Sequence, residues 1–165
     1  MGLSEDLEHV ALQERELQFV RLDARAVWDL GVSLRGMAED RGLPVVIDIR
    51  RFGQPLFYTA LPGTTPDNPE WVRRKTNVVA RFHRSSYGVL LDMKLRNETL
   101  LHECGLPVAD FVEAGGGFPL TVAGVGVIGS VTISGLPDRD DHELVVEALC
   151  AATGHDYARI RLGAE

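Results

Sequence analysis

The run from Gly115 to Gly135, Gly-Gly-Gly-Phe-Pro-Leu-Thr-Val-Ala-Gly-Val-Gly-Val-Ile-Gly-Ser-Val-Thr-Ile-Ser-Gly, constrains the fold more than any other part of the chain. Its glycines and β-forming residues recur at the spacing of a turn and its two strands. Three consecutive glycines carry no Cβ, so the backbone can enter positive φ and bring its N–H groups close to another group, a ligand included. Leu120 and Val122 then share one face of a short strand, Gly124-Val125-Gly126 supplies a turn, and Val127, Gly129, Val131 and Ile133 alternate with Ile128, Ser130, Thr132 and Ser134. The pattern predicts a hairpin entered through a glycine loop. It marks Gly115, Gly116 and Gly117 as candidate ligand contacts.

Helical and strand periods divide the remainder. Ser4 is positioned to cap an N-terminal helix over residues 1–16, with Leu7, Val10 and Ala11 on one face. Around Leu17–Leu22 the spacing changes to alternation. Asp23 caps a second helix to about Arg41, stopped by Gly42 and Pro44. Val45–Arg50 and Leu56–Leu61 read as a second hairpin about Phe52-Gly53-Gln54-Pro55. Asn68 and Pro69 fit the N-cap and first position of a helix running to about Arg84 or Ser86, and helix resumes after a bend to about Leu101. Asp138 or Asp140 caps a last long helix, and residues 154–165 form a weakly determined tail. With 165 residues and no internal repeat, the chain is expected to form one domain over 1–165.

Several function classes are excluded on composition. The net charge of −7 opposes bulk attraction to DNA, RNA or anionic lipid, so neither nucleic acid nor membrane is an expected partner. No apolar run reaches the roughly 18 residues that a spanning helix needs, and the N-terminus lacks the pattern of a secretory leader, so the expected location is cytoplasmic. Cys104 and Cys150 stand outside any C-x-x-C pattern, and no metal site is expected.

Positive charge is concentrated on one helix. Residues 70–86 hold Arg73, Arg74, Lys75, Arg81 and Arg84 against Glu70, a formal +4 inside an acidic chain. At 100° per residue, Trp71, Val78, Val79 and Phe82 fall on one side, while Arg73, Arg74, Asn77, Arg81 and Arg84 gather on the adjoining side. Guanidinium forks match carboxylate and phosphate oxygens, so Arg74, Arg81 and Arg84 with the helix-end donors His83, Ser85 and Ser86 form a candidate anion site. The competing structural role is a solvated face or a set of salt bridges.

The acidic run Asp138–Glu143 suits a helix cap and dipole better than a metal, since consecutive helical residues point in different directions. His142 and Glu143 remain site candidates. Gly124-x-Gly126-x-x-Gly129 imitates a dinucleotide fingerprint, but strand formers follow it where a helix is required. No catalytic residue can be named.

Gly116-Gly-Phe-Pro-Leu120, Gly129–Gly135 and the following Asp140 make the sequence resemble the haem-degrading domain family, whose members include GlcG-like and HbpS-like proteins. Val45–Asp48 with Gly53, and the basic helix Trp71–Ser86, extend the match. A bacterial subgroup is especially similar in Leu61–Asn68, Trp71-x-x-Arg74-Lys75, Arg81-Phe-His83 and Asp140–Val146. The resemblance implies a profilin-like α+β fold, an antiparallel sheet of about five strands with helices on its faces, assembled as a homo-oligomer. It further implies a small-ligand binding or sensing protein, with haem the candidate cofactor. The anionic group would be held between the glycine loop and the basic helix. A haem-degrading enzyme and an oligomeric scaffold binding client proteins are the alternatives.

Overall fold

Two hairpins build the sheet of the computed structural model, which describes residues 2–163. One joins β1 (Val46–Arg51) to β2 (Gln54–Ala60), and the other joins β3 (Gly117–Val122) to β4 (Gly126–Ser134). β4 also pairs antiparallel with β1, with Ile133 opposite Ile47, giving one sheet in the order β2-β1-β4-β3. The second hairpin turns through Gly124 and Gly126 at φ of 76° and 112°, backbone that L side chains resist.

The sheet has four strands where about five are expected. The alternating segment at Leu17–Leu22 makes only an isolated parallel bridge, in which Phe19 N–H donates to the Thr121 carbonyl and Ala123 N–H donates to the Phe19 carbonyl, both at 2.8 Å. Helices close in on both sides: α1 (Leu3–Glu16) ends just before this segment, and α2 (Ala24–Asp40) starts just after it, capped by the Asp23 carboxylate accepting from Ala26 N–H.

Period-two alternation sorts the sheet into two unlike faces. Val131, Ile133, Ile47, Ile49, Phe57, Phe118 and Leu120 point into the main core, where α2 contributes Val27, Leu30 and Leu34. α6 (Asp138–Thr153) adds Val145, Ala148 and Leu149 to that core. Each such side chain contributes roughly 1.5–3 kcal/mol by leaving water. Ser130, Thr132 and Ser134 face the other way and are buried beneath α3 (Asp67–Phe82), where the Thr76 and Thr132 hydroxyls lie 3.1 Å apart. The sheet is therefore apolar on one side and polar on the side that carries the basic helix.

α3 ends at His83, which adopts a left-handed φ of 53°, and Ser85 then caps α4 (Ser86–Arg96) by accepting from Gly88 N–H. The expected bend is thus a full break between two helices. α5 (Leu100–Cys104) is a single capped turn, and α7 (Tyr157–Ile160) gives the tail a defined anchor, with Ile160 and Leu162 buried. Three caps differ from expectation. α1 is preceded by Gly2 and not capped by Ser4, α6 follows Pro137 with Asp138 already inside the helix, and α3 opens at Asp67 while Asn68 Oδ1 accepts from Thr65 N–H. Pro69 remains in the first turn, where a missing N–H costs nothing. Met1, Ala164 and Glu165, part of the expected terminal helix and tail, lie outside the described residues.

Candidate functional site

The glycine loop packs directly on the inner face of α3. Gly115, Gly116 and Gly117 are all buried, and only Gly116 uses positive φ, at 123°. A Cβ on Gly115 would stand 1.9 Å from the Asp138 carbonyl oxygen, and one on Gly116 would stand 2.3 Å from the Ile133 carbonyl oxygen and 3.0 Å from Lys75 Nζ. Close approach is what the glycines provide. Two of their donors are engaged within the fold: Gly115 N–H donates to Asp138 Oδ1 at 2.9 Å, and Gly117 N–H donates to Ser86 Oγ at 2.9 Å. Ser85 is equally committed, since its hydroxyl caps α4 and its N–H donates to Glu14 Oε1 at 2.7 Å.

Lys75 joins these parts. Its ammonium is buried, donating to Asp141 Oδ2 at 2.9 Å and to the Ile133 carbonyl at 3.0 Å. Asp141 also accepts from the N–H groups of Gly135 and Leu136. Burial pushes the Asp141 carboxyl up to about 6, against the pull of Lys75 and those donors. The pair floors an open cleft of about 330 Å³ with Asp67, Trp71 and Asp138 on its walls. Sequence reasoning counted Lys75 in the formal charge of the basic helix and gave it no place in the site. Its inward direction was legible only from its place one turn from Val72 and Val79.

The arginine stripe divides along its length. Arg74 stacks 4.3 Å over Trp71 and reaches the Val108 carbonyl, and Arg73 pairs with Asp110 and Glu70. Arg84 lies 3.4 Å from Asp92. Among the described residues, the exposed Arg81 carries no ion pair, and neither does the exposed Arg51. His83 is exposed as well, turned outward by its left-handed backbone, with its ring 6.4 Å from that of Phe52 and no hydrogen-bond partner for the imidazole among the described residues. Phe52 itself is 48% exposed. Of the nine candidate residues, the structure gathers Gly115, Gly116, Gly117, Ser85 and Ser86 inside the α3–α4 junction, engages Arg74 and Arg84 locally, and presents Arg81 and His83 at the surface.

His142 belongs to the core. Fully buried, it lies between Tyr87 at 4.9 Å and Phe118 at 5.8 Å, ring to ring. Gln13 spends both amide hydrogens on Glu143 Oε1 and the Ile160 carbonyl, so its Oε1 must accept from His142 Nε2–H at 2.8 Å. The imidazole is therefore the neutral Nε2–H tautomer, with Nδ1 unpartnered among the described residues. Burial first, and then the Arg139 charge, depress it to about 3. Glu143 is likewise structural, accepting from Tyr157 and from Leu162 N–H.

A second open cleft of about 300 Å³ lies on the far side of Leu136 and is lined by Asp140, Glu143 and Glu147 with Arg41. Both of these clefts, which meet at Leu136, are thus rich in carboxylates. Among the described residues no group of three or more His, Cys, Asp or Glu is placed to hold a metal ion, and no helix is long and apolar enough to cross a membrane.

Comparison with known proteins agrees with this architecture. A UPF0303 protein of Acidobacterium capsulatum is 57% identical over 98% of both chains. Among solved structures, the protein Ybr137w superposes with a TM-score of 0.83 at 25% identity, covering 90% of this chain and 87% of that one. A structure described as a PduOC:Heme complex superposes at 0.66, with 23% identity over 83% of this chain and all of the other. The model of the family described as haem degrading protein HbpS-like matches residues 22–150, and the chain accordingly belongs to the HbpS-like haem-degrading family.

Proposed function

We propose that this protein binds haem, or a flat anionic ligand of the same kind, at the exposed C-terminal end of α3, with His83 as the iron ligand. The observation that carries this is the His83 imidazole, turned to solvent beside the exposed Phe52 ring with no hydrogen-bond partner of its own among the described residues. A flat apolar ligand face gains from Phe52, and the unpaired Arg81 guanidinium suits a carboxylate at its rim. Electrostatics favours this surface over the two clefts that meet at Leu136, where Asp67, Asp138 and Asp141, or Asp140, Glu143 and Glu147, would repel carboxylates. Family membership and the haem-bound structural relative point to the same ligand class.

Bound haem would supply a redox-active Lewis-acidic iron, and the chain's part is to hold and orient it. An open surface does not exclude water, as sustained oxidative chemistry on the ligand would need. Reversible binding, as in a sensor or carrier, fits such a surface better than degradation. The position of the anionic group differs from that drawn from the glycine motif, since the N–H groups of Gly115 and Gly117 are already donated inward.

Hemin titration followed by absorbance tests the location. A saturable Soret shift is expected for the wild type, with affinity at least tenfold weaker in a Phe52→Ala, Arg81→Glu variant. Equal binding by both would move the site elsewhere on the molecule.

A further inference from the structure

We propose that the cleft between the first turns of α3 and α6 binds a small organic cation that also carries hydroxyl oxygens, an amino alcohol or amino sugar. It lies at the opposite end of α3 from His83 and is independent of haem binding there. Ser134 is the observation that points to a ligand. Alternation along β4 turns Ser130, Thr132 and Ser134 toward α3, and Thr132 finds its partner in Thr76. Ser134 lines the cleft and is only 4% exposed, yet its hydroxyl has no hydrogen-bond partner among the described residues. A buried hydroxyl is costly to leave unbonded, so the cleft calls for an occupant with a polar atom at its floor. Beside it, Lys75 Nζ gives two of its three N–H groups to Asp141 and to the Ile133 carbonyl. The third needs an acceptor, which a ligand oxygen supplies.

Charge fixes the other half of the ligand. Asp141 is matched by Lys75 at 2.9 Å, whereas Asp67 and Asp138 on the walls belong to no ion pair among the described residues. Both are held in place: Trp71 Nε1–H donates to Asp67 Oδ2 at 3.0 Å, and Gly115 N–H donates to Asp138 Oδ1 at 2.9 Å. Each keeps its second oxygen for an ammonium. First-turn acids can serve the helix dipole alone. That role accounts for two carboxylates but not for the Ser134 hydroxyl, while an amine that carries hydroxyls satisfies both. A bare divalent ion is opposed by the Lys75 ammonium at the floor. Trp71, Leu136 and Pro137 offer apolar surface to the carbon skeleton. The volume of about 330 Å³ stands at the lower end of small-ligand sites, which run from about 300 to 1,000 Å³, and takes a single sugar ring.

Amide NMR of isotope-labelled protein, titrated with glucosamine, glucose and cyclohexylamine, separates the charge from the hydroxyls. Glucosamine is expected to shift the Gly135 and Leu136 amides and the Trp71 indole N–H saturably, with residues 80–84 unmoved. Glucose lacks the charge and cyclohexylamine lacks the hydroxyls, and each should bind about tenfold more weakly. Asp67→Asn combined with Asp138→Asn retains an amide oxygen to accept from Trp71 and Gly115, and it should weaken glucosamine about tenfold. Ser134→Ala should weaken glucosamine roughly fivefold and leave cyclohexylamine at its wild-type affinity, a difference that altered folding does not produce. The same spectra report the fold of each variant. Absence of a saturable glucosamine shift, shifts centred away from the cleft, glucose binding as tightly as glucosamine, or full affinity in the folded variants would overturn the proposal.

Discussion

Acidification should destabilise this protein through His142, by an amount set by its burial. Its imidazole is neutral and enclosed between Tyr87 and Phe118, and its pKa falls to about 3 from the ordinary value near 6.5. The folded state thus binds the proton less readily than the unfolded chain, so the stabilisation is complete above about pH 6.5 and is lost progressively as pH falls toward 3. Lowering the pH from 7 to 5 removes about 2 kcal/mol on this ground alone. Asp141 works in the opposite sense. Raised to about 6, it takes up a proton more readily when folded, and it adds stability as pH falls from near 6 toward the usual carboxylate range. The wild-type curve therefore mixes two signs, and the His142 part is isolated by comparison with His142→Phe. That substitution keeps an aromatic ring in the same slot and removes the titrating group. Its constant cost, from leaving Gln13 Oε1 without its donor, is about 1–3 kcal/mol. Urea unfolding of both proteins at pH 7 and pH 5 gives the relevant quantity, the change in their stability difference. A shift of about 2 kcal/mol in favour of the variant at pH 5 is expected. Parallel loss of stability in the two proteins would refute the neutral buried imidazole.

Other perturbations follow from the same contacts. Lys75→Met leaves the Asp141 carboxylate buried without its cation, a loss of about 3–5 kcal/mol in denaturant melts that Asp141→Asn in the same chain should partly reverse. Gly116→Ala forces a side chain into φ 123° and against the Ile133 carbonyl oxygen, and it should lower stability by roughly 2–4 kcal/mol. Because that loop is internal, hemin affinity of the folded fraction should stay at the wild-type value. Thiol labelling should modify one cysteine per native chain, the exposed Cys104, while buried Cys150, pushed up to about 11 chiefly by burial, reacts only after unfolding.

Periodicity was the legible layer of this sequence. The glycine-spaced hairpin, the Asp23 cap and the apolar stripe of α2 follow from local rules, and the structure has them where those rules put them. Side-chain partners were not legible, because they depend on which elements meet. Triple glycine marks close backbone approach equally well for a ligand and for a neighbouring strand or helix, and here the neighbours are Asp138, Ile133 and Lys75. The acidic run at Asp138–Glu143 looked like a cap, yet Asp141 and Asp138 also tie the glycine loop and the β4–α6 connection, a role visible only once Lys75 is seen to point inward. Of the arginine stripe, Arg73, Arg74 and Arg81 lie on α3 while Arg84 falls beyond the helix break at His83, and the partners from residues 108–110 that engage Arg73 and Arg74 lie over thirty positions away.

Hemin titration of His83→Ala against the wild type tests the central claim most directly. Loss of the wild-type Soret position, together with at least a tenfold drop in affinity, is the expected result. An unchanged spectrum and midpoint would show that the iron is not held at the end of α3.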